Sequence, residues 1–265
     1  MRFWRDKSGI RKISTFFSDQ FAYSINRKNT DKNLTANINP FYTDLDNPGL
    51  TTLSTSIRNN LSFNKSGKLF GVDYIFLNNR NRMLLANGFD TRSTISHGTR
   101  IRLSPGNLFS FINQTDIGRK KFDSEFFSSR DFDIEFVTND LSVQYQPGVS
   151  FRINLKYIFS DEINNLGQEQ SKNHDISCET RYNVLNKGTL MTKLSYIRIR
   201  FDQDPYTPVA YEMLKGLLPG NNGLWEATFQ RTLTGGLEMS INYTGRVSEN
   251  QKVIHYGGVQ VRWNF

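Results

Sequence analysis

Three histidines, one cysteine and a spaced series of arginines are the side chains of this 265-residue chain with chemistry to offer. His97, His174 and His255 lie far apart, and each falls in the apolar phase of an alternating segment. A His–Asp or His–Ser site needs its members to converge on one wet cavity. These three point the other way. Cys178 shares its phase with Ile176, Tyr182 and Val184, and a lone cysteine forms no internal disulfide. The sequence has no His, Cys and carboxylate grouping at metal-ligand spacing and no phosphate-cradling glycine loop. No enzyme, metal or cofactor is therefore expected, and no catalytic residue is assigned.

The elements that carry these residues are strands. Leu53, Ile57, Leu61 and Phe63 alternate with Ser54, Ser56, Arg58, Asn60 and Ser62. Val149, Phe151, Ile153, Leu155, Tyr157 and Phe159 alternate with Ser150, Arg152, Asn154 and Lys156. Leu237, Met239, Ile241, Tyr243 and Val247 alternate with Glu238, Ser240, Asn242, Thr244 and Arg246. Period two marks strands with one apolar and one polar face. The phase slips between Phe136 and Val137 and between Tyr196 and Ile197, and a β-bulge at each is expected.

Tight turns fall at Lys65–Gly67, Ser104–Gly106, Gln146–Gly148, Asn186–Gly188 and Thr234–Gly236, each with the Gly or Pro a short hairpin needs. Longer polar stretches, about 79–90, 120–129, 161–170 and 203–222, separate them. Short-long alternation is the habit of a membrane β-barrel. About twelve strands are expected, near 10–26, 52–64, 68–78, 91–103, 107–119, 130–146, 149–160, 172–185, 188–202, 223–233, 235–248 and 253–265. The expected fold is an all-β, antiparallel up-and-down transmembrane β-barrel, one domain over 1–265, closed on itself or the C-terminal part of a larger barrel. Residues 1–50 carry the weakest pattern, since Asp19 interrupts the first alternation. In the 203–222 outer loop, Tyr211, Leu214 and Leu218 suggest a short amphipathic helix ending before Pro219. It would pack on the rim or restrict a pore.

Composition fits this reading. Mean hydropathy is −0.53 and no 20-residue apolar run exists, which excludes helical spans but not barrel strands. Aromatic residues make up 13%, enough for interfacial girdles. The net charge of +8 is spread along the chain without a dense basic tract, so nucleic acid is not an expected partner. The start, MRFWRDKSGIRKIS, is basic but lacks the apolar core of a secretory signal. A barrel must cross the inner membrane, so a processed form or the end of a longer precursor is expected.

Within a barrel, the polar phase faces the lumen, because Arg at the mid-membrane lipid face costs roughly 2–4 kcal/mol. Arg100, Arg102, Arg152, Lys156, Arg198, Arg200, Arg246 and Arg262 are all read on that phase, with Glu179, Glu226 and Glu238. They would form a basic lumen suited to anionic solutes, or would pair with an acidic plug or neighbouring domain. Mutual ion pairs around a filled interior would use the same residues differently.

The chain ends VIHYGGVQVRWNF, with Val259, Val261, Trp263 and Phe265 on one face. This segment resembles the C-terminal β-signal read by barrel-assembly machinery, although Gly257 and Gly258 lie further from the terminal aromatic residues than in the common form. The stretches YEMLKGLLPGNNGLWEATFQRTL and LEMSINYTGRVSENQKVIHYGGVQVRWNF resemble the closing strands of large Bacteroidetes-type outer-membrane surface proteins. Leu85–Arg92, Glu125–Phe127 and Arg181–Gly188 are similar to segments further upstream in them. The resemblance covers the chain from about residue 50 onward. It implies a Gram-negative outer-membrane barrel, a long N-terminal part upstream and a place at the cell surface, and it assigns no functional residue. The implied partners are outer-membrane lipid, the barrel-assembly machinery and an upstream domain of the same protein. Three functions remain open: anchor or translocation wall of a larger surface protein, the C-terminal part of a TonB-dependent-type transporter or porin for anionic solutes, and a soluble β-sandwich or adhesin-like binding module.

Overall fold

The structure, a computed structural model, describes residues 16–29, 49–65, 67, 69–184, 188–233, 236–249 and 251–263. Twelve strands form one sheet in which every neighbour in sequence is a neighbour in space. They are β1 Phe17–Asn29, β2 Leu50–Phe63, β3 Phe70–Leu85, β4 Gly88–Leu103, β5 Phe109–Ser124 and β6 Phe132–Tyr145. The second half comprises β7 Phe151–Asn164, β8 Gln170–Val184, β9 Gly188–Phe201, β10 Gly220–Thr232, β11 Leu237–Ser248 and β12 Ile254–Trp263. All ladders are antiparallel, so the fold is an up-and-down β-meander. Among the described residues no ladder joins β12 to β1.

The strands are longer than their apolar cores. β3 and β4 continue through the polar residues near 79–90 and meet at a two-residue turn, Ala86–Asn87, with Gly88 at φ +105°. β5 and β7 likewise extend to Ser124 and Asn164. Polarity on both faces read as loop, yet cross-strand pairing carries the ladders on. The first strand begins at Phe17, and the expected residues 10–15 lie outside the described ones.

One helix, α1 Pro208–Leu214, interrupts the β9–β10 connection. Thr207 caps it by accepting from the Ala210 amide, Pro208 opens the first turn, and Lys215 in the left-handed region ends it. Its buried face is Val209, Ala210, Met213 and Leu214. This corrects the expected stripe, since Tyr211 is 72% exposed. Val209 and Met213 pack on Phe132 and Ile134 of β6, while Ala210 and Leu214 pack on Ile197 and Ile199 of β9. Glu212 pairs with Arg92 of β4 at 2.6 Å. A seven-residue helix is about 10 Å long, whereas β4 to β9 would span roughly 24 Å if flat. The sheet therefore curls round α1, and the face the helix touches is concave.

Candidate functional site

Register assigns every strand residue to a face, because directly opposed residues share one. The concave face carries Ser160, Ser171, Ser177, Asn164 and Asn222, all buried, beside many charged groups. The convex face carries Ile117 (56% exposed), Leu155, Ile176, Leu194 (60%) and Val259 (68%). A water-soluble barrel puts its apolar residues inside. This wall is amphipathic the other way round.

The two expected bulges are absent. The β5–β6–β7 ladders run in unbroken register through Phe136 and Val137, as do the β8–β9–β10 ladders through Tyr196 and Ile197. The phase slip has another cause. At the helix end of the wall the polarity of the two faces inverts. Ile134, Ile197 and Ile199 turn inward to meet α1, and Arg119, Lys121, Lys172, Arg198 and Arg200 turn outward. Arg198 and Arg200 thus lie on the convex face, not in the lumen.

Arg100, Arg102, Arg152, Lys156, Arg246 and Arg262 lie on the concave phase. Their charge is largely offset. Asp73, Asp90, Asp116, Asp140, Glu162, Asp175, Glu179, Glu226 and Glu238 share the face with them. Lys156 meets Asp140 at 2.7 Å, and Lys120 meets buried Glu162 at 3.4 Å. Arg100 holds the Gln114 side-chain oxygen with Nε at 2.9 Å and Nη2 at 2.6 Å. Arg102 donates to the Lys65 carbonyl at 2.9 Å. Arg262 stands opposite Glu238, whereas Arg152 is directly opposite Arg181 and Arg246 stands between Leu224 and Ile254. Away from α1, a cavity of about 680 Å³ is lined by Asn183, Thr189, Gln230, Glu238, Gln260 and Arg262.

The histidines form a repeated arrangement on the convex face. His97 Nδ1 lies 2.7 Å from the Tyr74 hydroxyl, His174 Nδ1 2.8 Å from Tyr157, and His255 Nδ1 2.9 Å from Tyr243. Each tyrosine sits two residues before the position opposite its histidine. Phe76 and Phe159 occupy that opposite position, with ring centroids 5.1 Å from the imidazoles. In the third hairpin it is Gly245, and Trp225 lies across the glycine to reach His255, centroids 5.7 Å apart. These contacts need register to be seen, so spacing along the chain hides them.

The three clusters mark one level. The row of direct partners through His97 reaches Lys172, two residues from His174 toward α1, and the row through His255 crosses β8 at Cys178. The drift runs the same way on both sides of His174, as strands tilted in a barrel wall require for a level band. Below the clusters, outward residues stay largely apolar to a second aromatic set: Phe109 with Tyr145, centroids 4.9 Å apart, Phe151 with Tyr182 at 6.4 Å, and Trp263. On β6, β8 and β12 the band runs 137–145, 174–182 and 255–263. Nine residues tilted by about 40° rise roughly 21–24 Å.

No protein-family model matches the chain, and no curated protein matches it. Among solved structures, LpxR from Salmonella typhimurium matches at 10% identity and a TM-score of 0.30, over 78% of this chain and 86% of that one. The fold rests on the chain's own geometry: an all-β wall of antiparallel up-and-down strands with an apolar exterior. Val259, Val261 and Trp263 lie on that exterior, and Phe265 lies outside the described residues.

Proposed function

We propose that the chain is an outer-membrane β-barrel wall that anchors, or forms the translocation wall of, a larger surface protein. The observation that carries this is the apolar band about 21–24 Å tall on the convex face, edged by two aromatic sets, around a polar concave face. A soluble module would leave that band in water at great cost, since soluble monomers rarely expose contiguous apolar patches beyond a few hundred Å². The helix end corresponds to the outside, because the long β9–β10 connection lies there, whereas the β4–β5, β6–β7, β8–β9 and β10–β11 connections at the opposite end are short. The 254–263 strand would present Val259, Val261 and Trp263 to the assembly machinery, and no catalytic role is proposed.

The capped, ion-paired lumen supports the anchor over an open porin. α1 packs on the inner wall between β6 and β9, and Lys120 and Lys156 inside meet Glu162 and Asp140. The test is fractionation with heat-modifiable gel mobility. The expected result is outer-membrane recovery, extraction only by detergent and a faster-migrating unheated band. Extraction in plain buffer with one heat-independent band would contradict the proposal.

A further inference from the structure

The convex wall of β8–β10 holds a feature that plain lipid contact does not require. Ile176, Cys178, Leu194, Tyr196, Gly223 and Trp225 line an open groove of about 340 Å³. Gly223 stands directly opposite Tyr196 and has no side chain, and of its neighbours only Val247 reaches the position a Cβ would take. The Tyr196 hydroxyl donates to Asn221 Oδ1 at 2.7 Å and holds the ring at the groove's edge.

At the helix end of this groove the outward residues become cationic. Arg198 is directly opposite His174, and Arg200 is directly opposite Lys172. Among the described residues neither arginine has an ion pair or side-chain hydrogen bond. Lys172 reaches Asp161 at 3.5 Å. Further round the wall, Arg119 and Lys121 are also outward, but Asp133 pairs with both and Glu135 stands directly opposite Arg119. Arg198 and Arg200 thus stand as two adjacent outward cations where the apolar groove meets the band's edge. Two guanidinium forks on the same face, about 7 Å apart along the strand, suit the oxygens of a phosphate.

We propose that this groove binds a phosphate-bearing lipid of the leaflet on the α1 side. One acyl chain would lie along Ile176, Leu194 and Tyr196, and the phosphate would sit between Arg198 and Arg200. The site rests on the membrane reading above. Its occupant is an amphiphile because the apolar groove continues into the lipid-facing band and the cations cap only its upper end.

The test is native mass spectrometry of the full chain in detergent, titrated separately with dioleoyl phosphatidic acid, dioleoyl phosphatidylcholine and inorganic phosphate. The wild type should retain phosphatidic acid roughly tenfold more tightly than phosphatidylcholine, the scale of one charge-assisted contact. Inorganic phosphate alone should not bind. R198A/R200A should lose the preference, while R119A, which alters an already paired cation, should keep it. An unchanged preference in R198A/R200A would overturn the site, and so would inorganic phosphate binding as tightly as the lipid. Heat-modifiable mobility of the same samples separates the two claims. A folded, heat-modifiable barrel without lipid preference removes this site alone. A chain monodisperse in buffer without detergent removes the membrane reading and the site together.

Discussion

At the scale of single residues, the wall is decided by which way each side chain points. Leu155 and Asn154 are chain neighbours on opposite faces of β7, Leu155 convex and Asn154 opposite Glu179 inside. Leu155→Arg should cost about 2–4 kcal/mol of stability in bilayers, and Asn154→Arg less than about 1 kcal/mol. Denaturant titration in phospholipid vesicles measures both, and equal costs would remove the face assignment. The Tyr–His contacts belong to the same scale. Tyr157→Phe removes the hydroxyl 2.8 Å from His174 and should cost about 0.5–1.5 kcal/mol by the same titration. The phases of His97, His174 and His255 are legible in the sequence, because alternation needs no partner to be seen. Their tyrosines are not, because Tyr157 meets His174 only through the β7–β8 register.

Among the elements, strands were easier to read than the helix. Period-two segments and Gly-containing turns mark the strands from β2 onward, β1 carries the weakest alternation because of Asp19, and the ladders connect all twelve in chain order. The ends differ because β3, β5 and β7 leave the apolar band and go on pairing through charged and polar residues. Arg198 and Arg200 depart from the expected lumenal phase for one reason. Sequence alone cannot tell a bulge from an inversion of polarity, and α1 causes the inversion by demanding Ile197 and Ile199 inward. If α1 closes the mouth, replacing 206–218 by a Gly-Ser linker should raise ion conductance in planar bilayers severalfold. An unchanged conductance would show that the restriction lies elsewhere. The last strand carries its own expectation. Trp263→Asp or Phe265→Asp should abolish recovery in the outer-membrane fraction, and normal recovery would remove the assembly-signal role from the chain's end.

For the whole molecule, the central claim is that the wall is amphipathic with its apolar side out. The curl follows from α1 touching β4, β6 and β9 at once. The level of the band follows from the drift of aromatic clusters across the ladders. Charge balance inside follows from carboxylates on strands that sequence reading had not placed beside the arginines, such as Asp140 next to Lys156. Single-cysteine scanning of β7 in proteoliposomes tests the claim most directly. In a Cys178→Ser background, residues 151–159 would be replaced one at a time and treated with a membrane-impermeant thiol reagent. The account predicts labelling at Arg152, Asn154, Lys156 and Ile158, and protection at Phe151, Ile153, Leu155, Tyr157 and Phe159. The opposite alternation, with the apolar positions labelled and the polar ones protected, would contradict it.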